Sequence, residues 1–341
     1  MKRLILFLML LCQNIFAVDK VLNVYNWANF MPNSVIKQFE RETGIHVNYM
    51  EYDSNELLYA KLKTNPNIGF DVIVPSSYVV QRMAREGMLH VLDPAKIPNI
   101  KNLNPFLMNR EFDPHNQYSL PYMWGTTAIV VNQKFFNPQD FNHWTDLWDP
   151  KYKNQLLLLD DMREVFSVAL IVLGYSVNET NPEHIREAYE KLRALLPNIK
   201  LFNNDAQQNI YVDEDATLGI GYNGDIYQVQ QENPRVTFVY PKDPFTIWID
   251  CISIPKNAPH LENAFKFLNF INRPDMAAKI AENNGFSSPN SAAFPYLPKS
   301  MQQSTVMNPP MQDLKRSVME NDVGNTIVIY EKYWELLKLG T

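Results

Sequence analysis

The chain has 341 residues, with 31 basic and 37 acidic side chains, a net charge of −6 and 46% hydrophobic content. That length exceeds a usual single core and points to two lobes. The acidic balance argues against nucleic acid as a partner, and two cysteines, Cys12 and Cys251, are too few for a disulfide scaffold.

The first segment reads as a signal. Met1-Lys2-Arg3 is basic, Leu4 to Leu11 is an uninterrupted apolar run, and Ile15-Phe16-Ala17 offers a small residue for cleavage. Basic, apolar, then small is the order of a secretory signal peptide, here over 1–17. The run is far shorter than the ~20 residues that span a bilayer. The mature chain is expected to begin near Val18 or Asp19, and losing Lys2 and Arg3 takes its net charge from −6 to −8. Cys12 raises lipidation, but the bulky Leu11 before it argues against that. Cys251 then has no partner for an internal disulfide and reads as a small buried apolar residue.

The next third alternates strand and helix. Val21 to Trp27 predicts a strand. Ser34 to Thr43 predicts a helix through Val35, Ile36 and Phe39, with Gly44 as its stop. Val47 to Tyr52 is a strand. Ser54 caps a helix through Leu57, Leu58 and Leu62. Phe70 to Val74 is a strand ending at Pro75, and Val79 to Glu86 a helix ending at Gly87. This order implies a mostly parallel sheet flanked by helices, with ligands beyond the carboxyl ends of the strands. The second part repeats the theme. Strands are expected over Thr127 to Asn132, Leu156 to Asp160, Leu218 to Tyr222, Val236 to Tyr240 and Ile247 to Ile254. Helices are expected over Arg163 to Leu173, Glu183 to Leu196 and Leu261 to Asn272. The most apolar later stretch, Val165 to Tyr175, has 11 residues and reads as a buried helix. No repeat or low-complexity linker separates two domains, so the chain is expected to cross between lobes more than once.

Several predicted strand ends gather aromatic, hydroxyl, amide or carboxylate side chains. They are Tyr25-Asn26-Trp27, Ser76-Ser77-Tyr78, Asp160-Asp161-Met162-Arg163-Glu164, Gly221-Tyr222-Asn223-Gly224-Asp225 and Trp248-Ile249-Asp250. An ammonium leaving water needs charge compensation, which carboxylates supply by charge-assisted hydrogen bonds and ring faces by cation–π attraction. Each piece has a blander reading: a lone tryptophan is usually core, and an acid at a helix start is usually a cap. Asp161 and Glu164 sit three apart at a helix start, so they serve either the helix dipole or a diamine. Arg163 between them points either to solvent or to the core.

These segments resemble the periplasmic polyamine (spermidine/putrescine)-binding proteins of ABC importers, over nearly the whole mature chain. The resemblance is carried by Tyr25-Asn26-Trp27, Asn55-Glu56, Tyr59-Ala60-Lys61-Leu62-Lys63, Asp71-Val72-Ile73-Val74-Pro75-Ser76 and Pro121-Tyr122-Met123-Trp124-Gly125. It continues in Asp160-Asp161-Met162-Arg163-Glu164-Val165-Phe166, Asn321-Asp322-Val323-Gly324 and Ile329-Tyr330-Glu331. It implies a type II binding-protein fold, two α/β lobes closing on a ligand in the cleft between them. The lobes are expected over 18–125 with 250–294, and 126–249 with 295–341. By the same resemblance, Trp27 forms an aromatic wall, Ser76 and Tyr78 a polar and aromatic pair, Asp161 and Glu164 the carboxylates of the other lobe, and Trp248 with Asp250 a central clamp. Spermidine-preferring members differ at other positions. They carry an acid where this chain has Asn29, a threonine at Ala28, tyrosines at Phe30 and Phe286, a tryptophan at Tyr222 and a glutamine at Glu320. One charge is thus missing at position 29, and Glu320 is placed to restore it from another wall. Asp225, where a small hydroxyl residue is common, adds a further acid.

The expected function is a periplasmic substrate-binding component of an ABC-type polyamine importer, working as a monomer with an inner-membrane permease. The alternative is a polyamine sensor that docks a receptor instead. An acid/base role for Asp161 and Glu164 as in glycoside hydrolysis has no support elsewhere. No G-x-S-x-G occurs, and the six histidines (His46, His90, His115, His143, His184, His260) show no ligand spacing. No enzyme activity, cofactor or metal is therefore expected.

Overall fold

The computed structural model describes residues 20–340 apart from residue 205. The expected leader, with Ala17 and Cys12, lies outside the described residues. The first part runs β1 (Val21–Trp27), α1 (Asn33–Thr43), β2 (His46–Tyr52), α2 (Asn55–Thr64), β3 (Val72–Ile73) and α3 (Ser77–Arg85), followed by the long β4 (Ser119–Asn132). α1 buries Val35, Ile36 and Phe39, and ends where Gly44 turns left-handed and donates to the Glu40 carbonyl. The Ser54 hydroxyl caps α2 by accepting from the Leu57 N–H at 3.2 Å.

β4 starts eight residues before the predicted Thr127. Pro121, which cannot donate to a ladder, hides the strand's beginning, and the register against its neighbour shifts between Pro121 and Met123 to absorb it. The chain continues through β5 (Leu156–Leu158), α4 (Met162–Val172), α5 (Pro182–Arg193), β6 (Ile199–Phe202), α6 (Gln207–Val212), β7 (Leu218–Tyr222), α7 (Asn223–Glu232), β8 (Val236–Val239) and β9 (Phe245–Ser253). It closes with α8 (Leu261–Ile271), α9 (Pro274–Asn284), α10 (Lys299–Gln303), α11 (Met311–Leu314), β10 (Ser317–Val318) and α12 (Ile327–Lys338).

The strands lie in the order β2-β1-β3-β9-β4-β7-β5-β6. β2-β1-β3 and β7-β5-β6 are parallel blocks, as the alternating pattern implies. Two long strands, β4 and β9, pair antiparallel to each other and join the blocks. Apolar residues follow the same division. One core gathers Leu22, Val35, Phe39, Val72, Ile252 and Phe267, with Tyr25, Leu58 and Val80 on the sheet's other face. A second gathers Ile129, Trp144, Leu158, Phe166, Leu218 and Trp334. β4 and β9 contribute to both cores, and so does the stretch from Leu314 to Val323. The polypeptide therefore passes between the two cores three times. No helix among the described residues is long and apolar enough to cross a membrane.

Candidate functional site

Parallel β1 and β3 end side by side, which brings Trp27 against the Val74–Ser76 turn. The Trp27 indole N–H donates to the Val74 carbonyl at 2.9 Å, fixing the ring. From there an aromatic file crosses between the cores. Trp27 meets Phe30 at 6.1 Å between centroids, Phe30 meets Phe286 at 6.0 Å, Phe286 meets Trp248 edge-on at 5.1 Å, and Trp248 meets Tyr222 edge-on at 5.6 Å. Two glycines make this possible. A Cβ on Gly125 would overlap the Trp248 ring, and one on Gly224 would overlap the Phe286 ring. Asn29 stands at the rim, exposed and left-handed; its N–H donates to Glu51 at 3.1 Å.

Asp250 projects from β9 beside this file and is buried. The Ser76 hydroxyl donates to it at 2.6 Å. Ser76 is itself steadied by Asn55, which donates to the Ser76 hydroxyl at 3.1 Å and to the Tyr78 hydroxyl at 3.0 Å. Burial pushes the Asp250 carboxyl up to about 7; the Ser76 hydrogen bond opposes this and the charge of Asp161 adds to it.

Three acids converge from the other core. Asp161 caps α4, accepting the N–H groups of Arg163 and Glu164 at 3.0 and 3.2 Å, so the dipole reading of this residue holds. Its second oxygen nevertheless accepts from the Tyr222 hydroxyl at 3.3 Å, on the aromatic file, so it serves both readings. Glu164 lies one turn in, held by the Thr246 hydroxyl at 2.5 Å. Glu320 follows β10 and accepts from Ser167, on the same helix, at 2.8 Å. Burial raises all three carboxyls. For Glu164 the charges of Glu320 and Asp161 raise it further, while Arg163 draws Glu320 back to about 7.

Arg163 takes the inward of its two possible directions. Its guanidinium donates to the carbonyls of Asn321 and Val177 and to the Asn178 side chain, and lies 5.5 Å from the Tyr78 ring. Asp225 sits apart, its carboxylate held by Gln207 and Gln208 at 2.8 and 2.9 Å. Asn55, Ser167 and Thr246, which hold Ser76, Glu320 and Glu164, were invisible as site residues because a single hydroxyl or amide within a helix or strand carries no local signal. Among the described residues no group of three or more His, Cys, Asp or Glu side chains is disposed to hold a metal ion.

Comparison with known proteins gives a consistent answer. The family model for bacterial extracellular solute-binding proteins matches residues 34–308. A spermidine/putrescine-binding periplasmic protein of Salmonella typhimurium is 44% identical over 322 residues, covering 94% of this chain and 92% of the relative. The protein of the same description from Escherichia coli K12 is 42% identical with the same coverage. Among solved structures, a spermidine/putrescine ABC transporter substrate-binding protein from Streptococcus pneumoniae superposes with a TM-score of 0.81 at 33% identity, over 94% of this chain and 99% of that one. The chain belongs to the bacterial extracellular solute-binding proteins.

Proposed function

We propose that this protein captures a polyamine of the spermidine/putrescine type in the periplasm and delivers it to an ABC-type importer in the inner membrane. The observation that carries this reading is a file of aromatic rings lined by acids, with buried Asp250 beside it and Asp161, Glu164 and Glu320 at the end where Tyr222 meets Asp161. Carboxylates meet ammonium groups and ring faces meet the methylenes between them. The similarity to spermidine/putrescine-binding periplasmic proteins supports the same ligand class and compartment. Residues 1–17 act as the export signal. The site residues in this reading are Trp27, Asn29, Phe30, Ser76, Tyr78, Asp161, Glu164, Tyr222, Trp248, Asp250, Phe286 and Glu320. They are divided between the two lobes, whose third crossing lies between Leu314 and Val323, and which close on the ligand. Binding, with no chemical conversion of the ligand, is the activity.

The test is a thermal-shift and calorimetry series across putrescine, cadaverine, spermidine and spermine. Ligand at a hundred times its Kd stabilises the folded state by about 2.7 kcal/mol. A flat response to all four amines refutes the reading.

A further inference from the structure

The geometry points to Glu51 as a further ligand-binding residue, the carboxylate that receives the third ammonium of a triamine at the Trp27–Phe30 end of the aromatic file. This rests on the polyamine reading above and concerns what separates a triamine from a diamine.

β1 and β2 run parallel, with Asn26 opposite Glu51 and Trp27 opposite Tyr52. The Ala28 N–H donates to the Tyr52 carbonyl at 3.1 Å, so the two chains stay together past the ladder. The chain then folds back. The Phe30 N–H donates to the Trp27 carbonyl at 3.3 Å, and Asn29 stands at the corner in the left-handed region with φ 62°. Asparagine is one of the few residues that tolerate this conformation. The corner aims the Asn29 N–H at β2, where Glu51 Oε1 accepts it at 3.1 Å. The carboxylate is thereby fixed at the turn that carries Trp27 and Phe30, whose rings close this end of the file.

Glu51 Oε2 makes no hydrogen bond among the described residues. Glu51 and Asn29 are both exposed, so an incoming amine reaches them without displacing a packed side chain. The amides around them are neutral and already engaged. Asn283 donates to the Asn29 carbonyl at 3.3 Å, and Asn284 to the Phe30 carbonyl at 2.9 Å. The other acids of the cleft sit elsewhere. Asp250 is tied to Ser76 beside the file, and Glu164 feels the charges of Glu320 and Asp161 where Tyr222 closes the other end.

A diamine has two ammonium groups, and Asp250 with the α4 acids supplies carboxylates for both. A triamine has one more. Against ring faces alone that third ammonium gains cation–π attraction, which is weaker than a charge-assisted hydrogen bond. Glu51 Oε2 offers the hydrogen bond, at an end where residue 29 supplies an amide and no charge. Because this end is open to water, the Coulomb part of the contact is screened by salt.

The experiment is calorimetry on the full-length mature protein with putrescine and spermidine, at low salt and at about 1 M salt, where the Debye length falls to ~3 Å. Glu51→Gln keeps an oxygen for the Asn29 N–H and removes the charge alone, so the turn is preserved. This variant is expected to weaken spermidine about tenfold at low salt and to leave putrescine within about twofold. The spermidine deficit is expected to shrink at high salt, which a merely structural role for Glu51 would not produce. Asn29→Asp added to Glu51→Gln returns a carboxylate to the same turn and is expected to recover most of the lost spermidine affinity. Equal losses for the two amines, or a spermidine change under about twofold, overturn the assignment of Glu51 and leave the polyamine reading standing. Unaltered protein that takes putrescine and not spermidine does the same. Failure of putrescine, cadaverine, spermidine and spermine alike overturns both readings.

Discussion

At Asp250, burial favours the protonated form and a bound cation favours the ionised one. Burial holds this carboxyl at about 7 in the empty protein, and Glu320 stands at a similar value. In the unfolded chain both ionise near their ordinary values of 3.8 and 4.5. The folded, empty protein therefore binds more protons than the unfolded chain between roughly pH 4 and 7. These two acids favour folding at the low end of that window, and the contribution is lost as pH rises through about 7. Ligand binding runs the other way, since an ammonium needs both acids ionised. Affinity for putrescine is expected to climb from pH 5 to pH 8, with protons released on binding; calorimetry at pH 6.5 in two buffers of different ionisation enthalpy measures that release. Asp250→Ala is expected to lose about 3–5 kcal/mol of binding by leaving a buried ammonium unpaired, a hundredfold to a few thousandfold in Kd. Near-unchanged affinity in that variant removes Asp250 from the site. Asp250 was legible in the sequence beside Trp248 at a predicted strand end and Asp161 with Glu164 at a helix start, whereas Glu320 was reached through the family resemblance alone. The direction of Arg163 was not legible, because it is decided by Asn178 and Asn321, residues 15 and 158 positions away.

Secondary elements were read best where one face is plainly apolar or a cap is explicit. β1 and β7 begin and end where the pattern places them, and α1 and α2 carry their glycine stop and serine cap. α7 was missed because it buries Ile226 and Tyr227 on different sides and opens on Asn223-Gly224-Asp225, a sequence that reads as a turn. That opening glycine has a packing reason, since Phe286 lies against it. Gly224→Ala must displace the Phe286 ring, at a cost of about 1–3 kcal/mol in overpacking. The displacement should pass along the file to Trp248 and weaken polyamine affinity, while the far-ultraviolet circular dichroism stays that of the folded protein. Unchanged affinity in a folded Gly224→Ala variant shows that the position of Phe286 is immaterial to binding.

At the scale of the molecule, the two halves touch through contacts that do not involve the aromatic file. Arg85 of α3 pairs with Asp322, whose N–H donates to Gln81 at 2.8 Å, and the Arg163 guanidinium lies over Tyr78. Arg85 is half exposed, so its ion pair contributes less than about 1 kcal/mol. Contacts this weak leave closure, in the function proposed above, to the ligand. Small-angle scattering is expected to give a smaller radius of gyration with putrescine than without it; identical profiles would mean that the empty protein is already closed. Two lobes could be read from length, and more than one crossing from the absence of a linker. The strands that make the crossings could not, because pairing between β4 and β9 joins residues more than a hundred positions apart.

The strand order also governs when this chain can fold. β3 pairs with β1 on one side, but its other neighbour is β9, through Ile73 and Ser253. The first parallel block cannot join the rest of the sheet until residue 253 has been made, and its covering helices α8 and α9 come later still. Contacts so distant in sequence form slowly. A polypeptide wired in this way leaves its first block with an unpaired sheet edge at β3 until the last third has been made. It commits to its final shape only when the last third arrives.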